Sequence, residues 1–377
     1  MHIGFITPEY QYKDNPKAIG GIGTFTKSLA EQLVLNKHTV SIFLYSQNET
    51  KSFKENGITV YLIAQKKFPF LTWLTNRKHT QNYINKIVAD NNIDVLEASD
   101  WTGFTAFMKF NIPLVLRLHG SDTYFCNLDN RKVKFKNFYF EKKALKGADK
   151  IVGVSQFVAE KTKELFNIKK EIKVIHNAMD TAFFTPNHQN IQKKTLLYFG
   201  TIIRKKGVLE IANVFNKLVA QDSEIQLTFL GRDTVDILKK ESTLKLFKTE
   251  LSEKAKKNFR YISSVPYYEV KKYINQSEII VLPSFAEAFP MTWLEAMALE
   301  KKLITSNIGW AKELMINGET GFMVDPKNHN EFVDKILSLL NDTNSKLMEI
   351  NARKRIIRTF NLVDKTRENI DFYKELI

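Results

Sequence analysis

The chain has 377 residues, 44% of them hydrophobic, a formal net charge of +15 and one cysteine, Cys126. That length outgrows a single core, so two domains are expected. A lone cysteine excludes a disulfide framework and a cysteine-rich metal site, and no apolar run approaches the roughly 18–20 residues of a spanning helix. The charge calls for an anionic partner: nucleic acid, a membrane surface or a phosphorylated substrate. Met1-His-Ile-Gly4 opens on a strand-like run rather than a signal peptide, which predicts a cytoplasmic protein, soluble or peripheral at the inner membrane face.

The first strand, His2–Thr7, leads into Pro8-Glu9-Tyr10 and then Ile19-Gly-Gly-Ile-Gly-Thr-Phe-Thr26, which opens an amphipathic helix. Gly21 and Gly23 let the backbone approach a ligand at that helix start, although the spacing is not the dinucleotide G-x-G-x-x-G. Strand-like runs recur at 40–45, 58–63, 95–97, 114–117 and 151–154, separated by helical segments. This alternation predicts a parallel, doubly wound sheet. His119 follows one of these strands and precedes Gly120, a placement that lines a ligand crevice; Asp122 is a weaker candidate.

Two segments, 66–78 and 131–143, interleave aromatic and basic residues. Such composition suits an anionic lipid surface, and would also suit single-stranded nucleic acid. For 131–143 the plainer reading is favoured: Phe135, Phe138 and Tyr139, at helical spacing, are core with the lysines solvated outside.

The polar stretch 186–194 reads as a linker, with the domain boundary near residue 185. Beyond it, 195–199 is a strand entering Gly200-Thr-Ile-Ile-Arg-Lys-Lys-Gly207. A strand, a glycine turn and the cations Arg204 and Lys206 at a helix start form a candidate diphosphate clamp. Further strands are expected at 226–230, 259–262, 279–282, 302–305 and 322–324. After 279–282 comes Pro283-Ser-Phe-Ala-Glu-Ala-Phe-Pro-Met-Thr-Trp-Leu-Glu295, in which Pro290 begins a helix. Free amides at Met291 and Thr292 would attract an anion, whereas carboxylates at Glu287 and Glu295 would repel phosphate and accept from hydroxyls. A nucleotide-sugar satisfies both requirements.

Glu287-x7-Glu295, set between Pro-Ser-x-x-Glu-x-Phe-Pro and Leu-Glu-Ala-Met-Ala and followed by Thr305-Ser, Gly309 and Gly318-x-x-Gly-Phe322, resembles the signature of retaining GT-B glycosyltransferases, specifically glycosyltransferase family 4. The glycine loop, His119-Gly and Val174-Ile-His-Asn-Ala-Met-Asp180 resemble that family's amino-domain motifs. Ala178 stands where Gly is usual, and Thr201 where Arg is usual, so the family's clamp role would fall to Arg204 beside Lys206.

The resemblance implies an α/β GT-B fold: two Rossmann-like, doubly wound domains facing across a cleft, with a C-terminal helix crossing back to the first. The expected divisions are 1–185, 186–194, 195–355 and 356–377. It implies transfer of a sugar, with retention, from a nucleoside-diphosphate-sugar to a glycan or lipid-linked hydroxyl in cell-surface polysaccharide synthesis, by a metal-independent front-face route. His119, Glu287 and Lys206 would be catalytic. Gly21, Gly23, Arg204, Val265, Phe289, Pro290, Met291, Thr292 and Glu295 would join Lys206 and Glu287 in binding the donor, a UDP-sugar ahead of a GDP-sugar. Three rival readings stay open at this level, the nearest being a GT-B enzyme that releases the sugar as a phosphate or opens another nucleotide-linked substrate. A basic nucleic-acid-binding protein is disfavoured by dispersed charge and the lack of any RRM, KH or zinc-finger pattern. An inactive GT-B scaffold is raised by Thr201 and Ala178.

Overall fold

The computed structural model describes residues 1–15, 20–66, 72–341 and 345–377. Ile19 of the glycine loop and 67–71 of the first aromatic–basic segment lie outside these. The chain divides into two compact units, Met1–Asn177 with Leu362–Ile377, and Ala178–Asn361.

The first unit holds β1 (His2–Thr7), β2 (Thr39–Gln47), β3 (Lys51–Glu55), β4 (Ile58–Ala64), β5 (Val95–Ser99), β6 (Leu114–Leu118), β7 (Lys150–Gly153) and β8 (Ile172–Val174). They form one sheet in the order β3-β4-β2-β1-β5-β6-β7-β8. Every neighbouring pair is parallel except β3 with β4. All residues of β5 and β6 are buried, as expected of central strands covered on both faces. β3 was not anticipated, because its Lys-Ser-Phe-Lys-Glu is the polar composition of an edge. Asn56 and Gly57, both at positive φ, make the two-residue hairpin turn that sets it against β4.

The last helix, Leu362–Lys374, belongs to this first unit although it follows the whole of the second in sequence. Ile370, Phe372 and Tyr373 join Leu29, Leu33 and Val40 in the core. A buried polar knot holds the helix in place. Arg117 pairs with Glu97 through Nε–Oε1 at 2.6 Å and Nη2–Oε2 at 2.8 Å, and Tyr373 Oη donates to Glu97 Oε2 at 2.7 Å. Arg117 Nη2 also donates to Asn369 Oδ1. The expected single tail helix is broken at Phe360-Asn361, separating Lys346–Thr359 from Leu362–Lys374.

The second unit holds β9 (Gln192–Phe199), β10 (Gln226–Leu230), β11 (Phe259–Ile262), β12 (Ser277–Leu282), β13 (Lys302–Ser306) and β14 (Phe322–Val324), in the order β11-β10-β9-β12-β13-β14. All its pairings are parallel. β9 starts at Gln192, so three residues expected in a linker are strand. The units part at Asn177/Ala178 and Asn361/Leu362 rather than near 185 and 356. Lys193 and Lys194 read as linker because they are at the solvated start of a strand whose later residues are buried.

Candidate functional site

In the second unit, the chemistry gathers where β9 and β12 end. Gly200 leaves β9 at φ +122°, and a 3-10 turn, Arg204–Lys206, ends on Gly207 at φ +71°. No side chain fits at Gly207, because a β-carbon there would lie 2.0 Å from the Pro283 carbonyl oxygen. The turn is thus pressed onto the exit of β12 and stitched to it: Lys205 O accepts from Phe285 N at 2.8 Å and Ala286 N at 3.3 Å.

This stitching brings Lys206 Nζ to 3.1 Å from Glu287 Oε1, which also accepts from Ser284 Oγ at 3.0 Å. A β-carbon at Gly200 would sit 3.8 Å from Lys206 Nζ and 3.6 Å from Thr292 Cγ2. Lys206, Glu287 and Thr292 therefore crowd one small area of backbone. Thr292 is in the first turn of the helix Met291–Ala298, which starts at Pro290 without a side-chain cap and without an acidic residue in its first turn. Its leading amides and Lys206 offer positive potential side by side.

Glu295, in the same helix, is buried and accepts from Tyr267 Oη at 2.7 Å. Burial pushes its carboxyl up to about 7, against the opposing pull of the Tyr267 hydrogen bond and the Lys206 charge. Phe289 packs its ring 5.3 Å from Phe360 in the interior, so it shapes the turn from behind. Val265, half-buried, follows β11 on the loop before the helix Tyr267–Gln276.

Arg204 is not part of this gathering. Asp236, fully buried, takes its guanidinium through Nε–Oδ2 at 2.6 Å and Nη2–Oδ1 at 3.1 Å. The same carboxylate accepts from Leu238 N and Lys239 N, so the pair organises a loop. Arg204, expected to substitute for the cation missing at Thr201, is engaged here in a bidentate pair with a buried acid. Thr201 instead presents its carbonyl to Tyr198 Oη at 2.7 Å.

In the first unit, the glycine loop carries a carboxylate that sequence reasoning missed. Glu9 Oε2 accepts from Gly20 N at 2.9 Å and Oε1 from Gly23 N at 3.0 Å. The Gly23 amide, expected to serve donor phosphates, is spent on an internal anion; Gly21 is exposed beside it. The signal was Glu9 at a strand's carboxyl end, two residues past Thr7.

His119 follows β6, its ring edge-on to Phe25 at 4.9 Å between centroids, and its amide donates to Asp100 Oδ1 at 2.9 Å. Burial, with the Arg117 charge adding to it, pushes the His119 imidazole down to about 3, so the ring is neutral at ordinary pH. Asp100, also missed, follows β5. Its carboxyl is 3% exposed and pushed up to about 8 by burial, and Oδ2 has no partner among the described residues. Asp122 turns to Asn137 Nδ2 at 2.8 Å, a local structural bond.

Among the described residues, no three His, Cys, Asp or Glu side chains are grouped to hold a metal ion, and no helix is long and apolar enough to cross a membrane.

Residues 180–357 match the model described as "Glycosyl transferases group 1", and residues 19–183 match "Glycosyltransferase Family 4". A protein of Methanocaldococcus jannaschii described as an uncharacterized glycosyltransferase is 26% identical over 86% of each chain. Among solved structures, sucrose-phosphate synthase of Thermosynechococcus elongatus has a TM-score of 0.81 at 17% identity, covering 100% of this chain and 98% of its own. Anabaena HepE, solved with UDP and glucose, has a TM-score of 0.77 at 15% identity over the whole of both chains. Two parallel-sheet α/β units of this kind, matched in this order, define a GT-B fold. The chain is a GT-B glycosyltransferase.

Proposed function

We propose that the protein transfers a sugar from a nucleoside-diphosphate-sugar, UDP ahead of GDP, to a hydroxyl of a glycan or lipid-linked acceptor with retention of configuration. The observation that carries this reading is the Lys206–Glu287 pair at 3.1 Å beside the uncapped helix start at Met291 and Thr292. Cation and amides suit a diphosphate, and carboxylate suits sugar hydroxyls. HepE's bound UDP and glucose support the donor class.

The acceptor oxygen bonds to the anomeric carbon while the bond from that carbon to the diphosphate breaks. The bonding pair stays on the phosphate oxygen, which takes the acceptor proton on the same face. Lys206 and the amides at Met291 and Thr292 oppose the charge growing on that oxygen. Glu287 holds sugar hydroxyls, Glu295 the ribose, and the backbone at Val265 the base, with Phe289 and Pro290 fixing the turn. Neutral His119 contributes to the sugar from the amino-terminal unit, and Gly21 lies beside a carboxylate face suited to hydroxyls. Cations from the protein do the work in this scheme, so it needs no metal. The lysines and aromatics of 66–78 and 131–143 would hold the enzyme at an anionic inner membrane face, where a lipid-linked acceptor resides.

A thermal-shift comparison tests the donor site, because a ligand that binds only the folded state raises the melting temperature. UDP-glucose should stabilise the native protein. Lys206→Ala should abolish the response to both UDP and UDP-glucose, and Glu287→Ala should reduce it for UDP-glucose more than for UDP. Equal responses in all three proteins would sink the assignment.

A further inference from the structure

A cavity of about 520 Å³ opens in the first unit at the carboxyl ends of β2 and β4, lined by Ser46, Gln65, Thr72, Asn76, Arg77 and Lys136 among others. Open α/β sheets bind ligands beyond this end of their strands, and His119 follows β6 on the same rim. Among the described residues, the lining includes two cations and no carboxylate.

Arg77 is the feature that demands an explanation. It is 9% exposed, and its guanidinium donates from Nε to Phe104 O at 3.0 Å, from Nη1 to Trp73 O at 3.1 Å and from Nη2 to Gly103 O at 3.3 Å. These carbonyls orient the fork without neutralising it, and a guanidinium has five N–H donors. Among the described residues, Arg77 has no acidic partner, and the neighbouring stretch 67–71, Lys-Phe-Pro-Phe-Leu, contains none in sequence. Lys136 adds a second positive charge. Arg77 Cζ lies 4.4 Å and Lys136 Nζ 5.6 Å from the Phe140 ring centroid, so both cations sit against one ring. A buried charge is costly unless paired. By contrast, the other deeply buried guanidinium in this unit, Arg117, carries its own carboxylate, Glu97.

We propose that this cavity is an acceptor-side subsite for a phosphate group, held by the Arg77 fork and Lys136. This deepens the reading of the protein as a glycosyltransferase and rests on it for the word acceptor; the anion site itself stands on geometry. The phosphate could be carried by a lipid or by a water-soluble sugar, and the recognising chemistry is common to both.

The test is isothermal titration of the full-length protein with glucose 6-phosphate, and flotation with neutral phosphatidylcholine vesicles with or without dodecyl phosphate. The wild type should bind at least one phosphate probe and ignore glucose and plain vesicles. Arg77→Gln should weaken binding more than about tenfold, consistent with losing charge-assisted hydrogen bonds, and Arg77→Lys should recover part of it. Arg77 also caps carbonyls, so exposed Lys136→Gln serves as the variant that leaves the fold alone, with an expected loss of several-fold. Lys206→Ala, which removes the proposed donor clamp, should leave phosphate binding unchanged. A soluble-only response assigns a sugar phosphate, and a vesicle-only response assigns a phospholipid-linked acceptor. Absence of binding to both probes would overturn the proposal, as would binding that is lost in Lys206→Ala but kept in Arg77→Gln and Lys136→Gln. Failure of UDP-glucose to bind would count against the donor assignment and not against this subsite.

Discussion

Glu295 shows how a single carboxyl can report on ligand. It is buried, pushed up to about 7, and bonded to Tyr267. Because its folded value lies above the usual carboxylate range near 4.5, the folded state holds the proton more tightly than the unfolded chain. Its contribution to stability is therefore greatest at low pH and is lost as pH rises through about 7. Hydroxyls donating to the ionised form act in the opposite sense on affinity. UDP-glucose, whose diphosphate does not titrate here, should bind about tenfold tighter at pH 8 than at pH 6, as the carboxylate fraction rises. Glu295→Gln should flatten that dependence in a titration series. A wild-type affinity independent of pH would show that the ionised carboxylate does not touch the ligand.

At the scale of the element, the turn between β9 and the following helix Val208–Gln221 is the part on which the donor site depends. Gly207 combines φ +71° with contact against Pro283 O, whereas Gly318 has φ +81° and open space around it. An L-residue in this region costs about 1–2 kcal/mol from backbone strain alone. Gly318→Ala should pay that and little more. Gly207→Ala should add a steric clash, destabilising the unit by more than about 2 kcal/mol, and should uncouple Lys206 from Glu287, losing the UDP-glucose response. Paired urea melts and thermal shifts on the two variants make the comparison; similar behaviour of both would deny Gly207 its role. The aromatic–basic helix Phe135–Gly147 is instructive at the same scale. Phe138 stacks on Phe166 at 5.2 Å, but Phe135 is 79% exposed and Tyr139 39%. Helical spacing alone favoured all three as core; the helix buries Phe140, Glu141, Ala144 and Leu145 instead. Two exposed rings among lysines are the composition expected at a lipid interface.

For the whole molecule, the order of the chain and the order of the cores differ. Residues 1–177 lack Ile370, Phe372 and Tyr373, which complete their core. They also lack the Tyr373 hydroxyl and Asn369 amide that satisfy Glu97 and Arg117 in the interior. A fragment ending at Asn177 should lack a cooperative thermal transition in near-ultraviolet circular dichroism, and joining 362–377 to it through a flexible linker should restore one. Equal melting of the two fragments would make the last helix an ornament rather than a part of that fold.

Much of this was legible in the chain itself. Parallel strands tend to read as short apolar runs, so the buried β1 falls where hydrophobic patterning places it, as do the less buried β10, β11 and β14. The motif Glu287-x7-Glu295 and the glycine turn ending at Gly207 likewise state their residue types openly, because backbone geometry and hydroxyl binding restrict what can stand there. Polar edges were harder: β3 is betrayed only by Asn56-Gly57, and the start of β9 looks like a linker. What no reading along the chain could supply was pairing between distant side chains. Whether Arg204 meets a phosphate or Asp236, whether the Gly23 amide is free or spent on Glu9, and whether Arg77 has an acid beside it are decided by which residues the fold brings within 3 Å. Short-range order follows from local sequence, whereas the partner of a buried charge is fixed only when the sheets and helices have packed.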